Sequence, residues 1–126
     1  MKPVLFWGFI FLHSLTSCGP IKNDRIILGL DYAKQELQKC KLDKTSKQVL
    51  VDTLIKTQSI AIKVAETLLY DIYGEKNIIR QKPYEVYNLE NYWVIIGTLP
   101  KGSLGGTFLI IINAINAQVI KLTHGK

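Results

Sequence analysis

The sequence predicts an α+β fold, and three observations predict it. Apolar residues recur at i, i+4 over residues 58–73, the signature of one long amphipathic helix. After Arg80 come four runs rich in β-branched and aromatic residues, separated by turn-like stretches. The chain has 126 residues and is 48% hydrophobic, enough for one small core and too little for two. A helix followed by consecutive strands packs as a helix laid across an antiparallel meander.

The first residues carry a different signal. Lys2 precedes the unbroken apolar run "VLFWGFIFL" (4–12), far shorter than the roughly 20 residues a bilayer-spanning helix needs. Its length suits the apolar region of a secretory signal, and it leads into "LTSC", with small residues just before Cys18. This order resembles a bacterial lipoprotein precursor. It implies a signal peptide over 1–17, cleavage before Cys18, lipidation of the Cys18 thiol, and a membrane partnership through that lipid. Gly19, rather than aspartate, follows Cys18, and in lipoproteins that favours the outer membrane. With Cys18 acylated, Cys40 has no second cysteine to pair with.

Residues 18–25 read as a polar tether, and 26–126 as a single domain. Ile26, Leu30, Ala33 and Leu37 fall on one helical face, which predicts an additional N-terminal helix over 26–40. "KLDKTSK" (41–47) is charged and patternless, a loop. "QVLVDTLI" (48–55) fits a short strand and a helical turn equally. Thr57 is placed to cap the long helix, and Gly74 to end it. Within that helix Ile60, Val64, Leu68 and Ile72 form the leading apolar ridge, with Ala61, Ala65 and Leu69 beside it.

The four strands are expected in "PYEVYNL", "YWVIIGTL", "TFLIIINA" and "QVIKLTH". "NLEN" and "AINA" are short enough for hairpins. The middle two runs are apolar at consecutive positions, as in strands buried on both faces, and the outer two alternate.

Chemistry-bearing patterns are sparse. The loop "TLPKGSLGGT" is rich in glycine, but a phosphate cradle requires a helix after the loop, and here a β-branched run follows. Ser103 does not sit in G-x-S-x-G. Its only conceivable base is His124, which nothing in the sequence brings to it. Asp71, Glu75, Glu85 and Glu90 are scattered over a helix end, a loop and a hairpin. Cys40 and His124 do not make a metal site at zinc-like spacing, so no metal or cofactor is expected. The net charge is +6, carried almost wholly by lysine. Lys34, Lys39, Lys41, Lys44 and Lys47 lack interleaved aromatic residues, which argues against nucleic acid. Tyr84, Tyr87, Tyr92, Trp93 and Phe108 lie on or beside the strands; those not used in the core suit a protein partner on an open sheet face.

From Thr57 onward the motifs "AIKVAETLLYDIYG", "IIRQKPYEVY", "YWVIIGTLP", "GGTFLIIINA" and "VIKLTHGK", in that order, resemble the NTF2-fold immunity proteins of bacterial polymorphic toxin systems. The resemblance covers 57–126. It implies an NTF2-like (cystatin-like) cone and a non-enzymatic role: binding a cognate protein toxin in the cell envelope and blocking it. Candidate contacts are Tyr87, Tyr92, Trp93, Leu104, Gly105, Gly106, Phe108 and His124. Two other functions compete with this one. The cone could enclose a small ligand, or the chain could be an envelope lipoprotein that binds another envelope protein.

Overall fold

The computed structural model describes residues 25–45 and 48–125. Cys18, the leader and the first part of the tether therefore lie outside the described residues. The chain divides into two compact units, Met1–Thr45 and Ser46–Lys126.

Among the described residues of the first unit, helix α1 spans Gly29–Leu42. Its start is later than the apolar spacing predicts. Gly29 adopts φ 83°, a left-handed backbone that prevents the helix from running back to Ile26. None of its residues is buried. Lys39 and Glu36 pair across one turn at 2.6 Å, a solvated contact.

The second unit opens with the segment that periodicity left ambiguous, and it forms neither helix nor strand. Its end is nevertheless fixed: the N–H groups of Leu54 and Ile55 donate to the carbonyls of Ile115 and Ala114 at 3.2 and 2.9 Å. Ile55 thereby enters the core. Helix α2 then spans Gln58–Tyr73, as its periodicity predicts. Thr57 Oγ1 accepts from the Ile60 N–H at 3.3 Å, satisfying one of the unpaired amides of the first turn. Gly74, at φ 84°, closes the helix. A five-residue helix, α3 (Glu75–Ile79), follows. One turn and a half is too short for a 3.6-residue period to register, so the sequence gives no warning of it.

Four strands complete the unit: β1 (Glu85–Leu89), β2 (Tyr92–Ile96), β3 (Phe108–Asn113) and β4 (Val119–His124). They pair antiparallel in the order β1-β2-β3-β4, the predicted meander. Leu89 faces Tyr92 across the first hairpin, and its two central residues, Glu90 and Asn91, both take positive φ (49° and 66°). Such a turn has the twist of the strands it joins. A bulge between Ile111 and Ile112 shifts the β3–β4 register.

Two expectations are corrected by how α2 meets the sheet. The buried row of the helix is Ala61, Ala65 and Leu69, while Ile60, Leu68 and Ile72 of the expected leading ridge are exposed. Alanine side chains bring the helix axis close to the sheet, and the bulk of the core comes from the strands: Trp93, Ile95, Phe108, Ile110 and Ile112. The middle strands are also not buried on both faces. In β3, fully buried Phe108, Ile110 and Ile112 alternate with half-buried Leu109, Ile111 and Asn113. Helix α2 packs on the face bearing Trp93 and Phe108, and the apolar residues on the opposite face are half-buried.

Candidate functional site

The face of the sheet opposite α2 is ordered in cross-strand rows. Tyr87 pairs with Val94, Val94 with Ile111, and Ile111 with Lys121. The neighbouring row runs Glu85, Ile96, Leu109, Thr123, and a third, shorter row joins Leu89, Tyr92 and Asn113. Side chains two apart along a strand share a face, so these rows are one surface, opposite Trp93 and Ile95. The first two rows are aliphatic at their centre and polar or aromatic at their ends, and the third carries Leu89 and Tyr92. Tyr87 is 46% exposed, Leu89 57% and Tyr92 36%. The Tyr87 hydroxyl donates to Glu85 Oε2 at 2.8 Å. That bond and the carboxylate charge raise the phenol pKa and keep the ring neutral.

Of the candidate contacts, Tyr87 and Tyr92 lie on this face. Trp93 and Phe108 do not, and the expectation that they offer contact surface is corrected. Trp93 is 7% exposed, with its indole Nε1–H donating to the Ile55 carbonyl at 2.9 Å. Phe108 is fully buried, and Tyr84 meets its ring edge-on at 5.1 Å between centroids. Their strand positions have the opposite parity to Tyr92 and Leu109, and the parity that faces α2 is buried. Leu104 is fully exposed in the loop between β2 and β3, and Gly105 is exposed beside it. Gly106 is packed at the base of that loop. A Cβ there would fall 2.1 Å from the Gly125 backbone, so only glycine allows the two chains to cross. Gly106 thus serves a close backbone crossing, as in a plain strand connection, while Gly102 and Gly105 supply positive φ in open space.

His124 closes the edge strand β4 and is half-buried. One ring nitrogen, Nε2, lies 3.0 Å from Gln81 Nε2, and the other, Nδ1, 2.7 Å from the Gly125 carbonyl. Gln81 Oε1 already accepts from the Phe108 N–H at 2.9 Å, so its amide nitrogen must be the donor to His124. His124 Nε2 is then an acceptor, and Nδ1–H donates to Gly125. Both ring nitrogens are used in structure, which leaves none to act as a base for Ser103. Gln81 was missed by sequence reasoning: a glutamine between a short helix and a strand gives no pattern. It is the one fully buried polar side chain among the described residues.

A polar cluster straps α2 to the entry of β1. Lys82 Nζ lies 2.8 Å from Glu66 Oε1, and the Tyr84 hydroxyl donates to the same oxygen at 3.1 Å. Burial alone would push the Glu66 pKa up, but hydrogen bonds from Lys82, Tyr70 and Tyr84 together hold it below the ordinary carboxylate value. Burial first, then the Glu66 charge, pushes the Tyr84 phenol far above its usual value, so it stays a donor. Because the Glu66 pKa is depressed by folding, its contribution to stability is present above the unfolded value of about 4.3. It is lost as pH falls through the lower folded value. Thermal melts between pH 7 and pH 3 should therefore show a shallower acid loss in Glu66→Gln than in the parent; parallel profiles would remove this role.

Leu69, Ile78, Ile95, Phe108, Ile110 and Ile112 have no exposed surface. None of these six side chains lines a solvent-open pocket. A groove of about 480 Å³ lies instead along the flank of α2, lined by Gln58, Ser59, Ile62, Lys63 and Glu66. Its carboxylate is the one already paired with Lys82.

Comparison with known proteins agrees with this architecture. The family model described as "NTF2 fold immunity protein" matches residues 60–126. The chain is 33% identical to the uncharacterized protein YbbC of Escherichia coli (strain K12) over 120 residues, 94% of this chain and 92% of that protein. It is 34% identical to the uncharacterized protein YhhH of the same strain over 77 residues, 60% of this chain and 61% of that one. No solved structure matches the chain. With slightly over half its length matching the family model, and a helix-backed four-stranded meander over the same residues, the chain belongs to the NTF2 fold immunity protein family.

Proposed function

We propose that this protein neutralises a cognate toxin by binding it across the open face of the sheet and covering its active site or its route of entry. Family membership supports toxin neutralisation by an immunity protein in general, a role that is generally non-enzymatic. The observation that carries the finer reading is the three-row apolar face, with Tyr87 and Tyr92 exposed on it. Tyrosine suits such a role because it buries a large ring and keeps a polar tip. The leader and "LTSC" support placing this event in the cell envelope, with the protein held by lipid on Cys18 and the outer membrane favoured by Gly19.

Co-expression with the toxin encoded by the adjacent gene tests the proposal. The parent chain should restore growth and co-purify with the toxin. Tyr87→Ala and Tyr92→Ala should each weaken the complex by about tenfold or more while shifting stability by less than about 1 kcal/mol. Absence of both rescue and complex would sink the toxin-binding reading. Recovery of the native protein from cells with an uncleaved, unacylated leader would sink the envelope placement alone.

A further inference from the structure

We infer that Leu104, at the tip of the loop between β2 and β3, is a specificity-determining contact that enters an apolar pocket on the bound toxin. This inference rests on the toxin-binding reading above. A single exposed leucine is ordinary on a protein surface. Leu104 differs in how the chain beneath it is held.

Leu104 is 100% exposed, yet the base of its loop is braced by several hydrogen bonds. The Thr98 N–H donates to the Gln81 carbonyl at 2.8 Å, and Thr98 Oγ1 donates to the Pro83 carbonyl at 2.6 Å. The Gly97 N–H donates to the Phe108 carbonyl at 3.0 Å, and the Gly125 N–H to the Thr107 carbonyl at 2.9 Å. Gln81 ties the far side of the loop through the Phe108 N–H. Nearer the tip, the Ser103 N–H returns to the Pro100 carbonyl at 3.0 Å, and Gly102 takes φ 82° at the third position of the turn. That is the pattern of a type II turn. Leu104 follows it directly, with Gly105 at φ 121° on its other side.

A side chain held out from a braced stem loses little freedom when it is captured, so more of its burial appears as affinity. The placement fits the sheet face as well. The loop leaves β2 after Ile96 and enters β3 at Phe108; Ile96 and the next residue, Leu109, belong to the apolar row that ends in Glu85 and Thr123. Leu104 therefore stands at the end of the sheet where the two central strands of that face are joined. Lys101, in the turn beside it, sets the charge of the rim, and a pocket flanked by a carboxylate is the complementary partner.

The test compares the parent chain with Leu104→Ser and Leu104→Met, using the adjacent gene's toxin domain, inactivated by mutation, as the probe. Surface plasmon resonance should show Leu104→Ser binding at least tenfold more weakly, mainly through faster dissociation. Leu104→Met should stay within about threefold, because it keeps the apolar volume. All three proteins should melt at the same temperature, since the side chain contacts nothing in the free protein. If the parent binds and Leu104→Ser binds as tightly, the role of Leu104 is overturned and the sheet face stands. If the parent itself does not bind, the toxin-binding reading fails, and this inference fails with it.

Discussion

Trp93→Ala should remove about 3–5 kcal/mol of folding stability, the range for deleting a large buried aromatic side chain. Two losses contribute. The indole occupies the core between Ile95 and the segment that leads into α2, and alanine leaves a cavity there. The Ile55 carbonyl also loses its donor, the indole Nε1–H at 2.9 Å. An unpaired buried acceptor costs about 1–3 kcal/mol. A small domain has only about 5–15 kcal/mol in total, so the variant should sit near the edge of folding. Urea titration followed by circular dichroism would read this as a lowered midpoint with an unchanged slope. Trp93→Phe keeps most of the packing and should lose only the hydrogen-bond part. The comparison with Tyr92→Ala is the informative one. Adjacent residues on one strand point to opposite faces, so the same truncation should destabilise at one position and weaken binding at the other. A Trp93→Ala protein of normal stability that has lost its partner would place the indole on the wrong side of the sheet.

The second large effect is expected at Gln81. Leucine has nearly the same volume, so Gln81→Leu tests hydrogen bonding more than packing. It would strip the acceptor from the Phe108 N–H, the donor from His124 Nε2, and the 3.3 Å contact to the Asn77 carbonyl. With about 1–3 kcal/mol for each buried group left unpaired, and part of the site able to rehydrate, a loss of about 3–4 kcal/mol is expected. Hydrogen exchange at the Phe108 and Thr98 amides should rise with it, because the strap across the end of the sheet would open locally. Gly97 is bound to the same arrangement: a Cβ there would lie 2.2 Å from Gln81 Oε1. If Gln81→Leu melts within about 2 °C of the parent and Phe108 exchange is unchanged, the strap is not what holds this end of the sheet.

These two residues mark where reading the chain stops being sufficient. Helix α2, its Thr57 cap and Gly74 end, four strands and their antiparallel order were all legible, because each depends on local periodicity, turn chemistry and chain length. The family motifs were legible for the same reason, being contiguous stretches in a fixed order. The choice of buried face was not. Residues 92–96 read "YWVII" and 108–112 "FLIII", and apolar character at every position says nothing about which parity meets the helix. That was settled by Ala61 and Ala65, whose small side chains let α2 close on the face bearing Trp93 and Phe108. The opposite face, carrying Tyr87 and Tyr92, was left to form a surface. Gln81 and His124 are 43 positions apart, and no local pattern reports a hydrogen bond between them. Local elements follow from interactions between near neighbours and can be read one stretch at a time. Which side of an element is inside depends on contacts between distant stretches, and those exist only once the chain has folded.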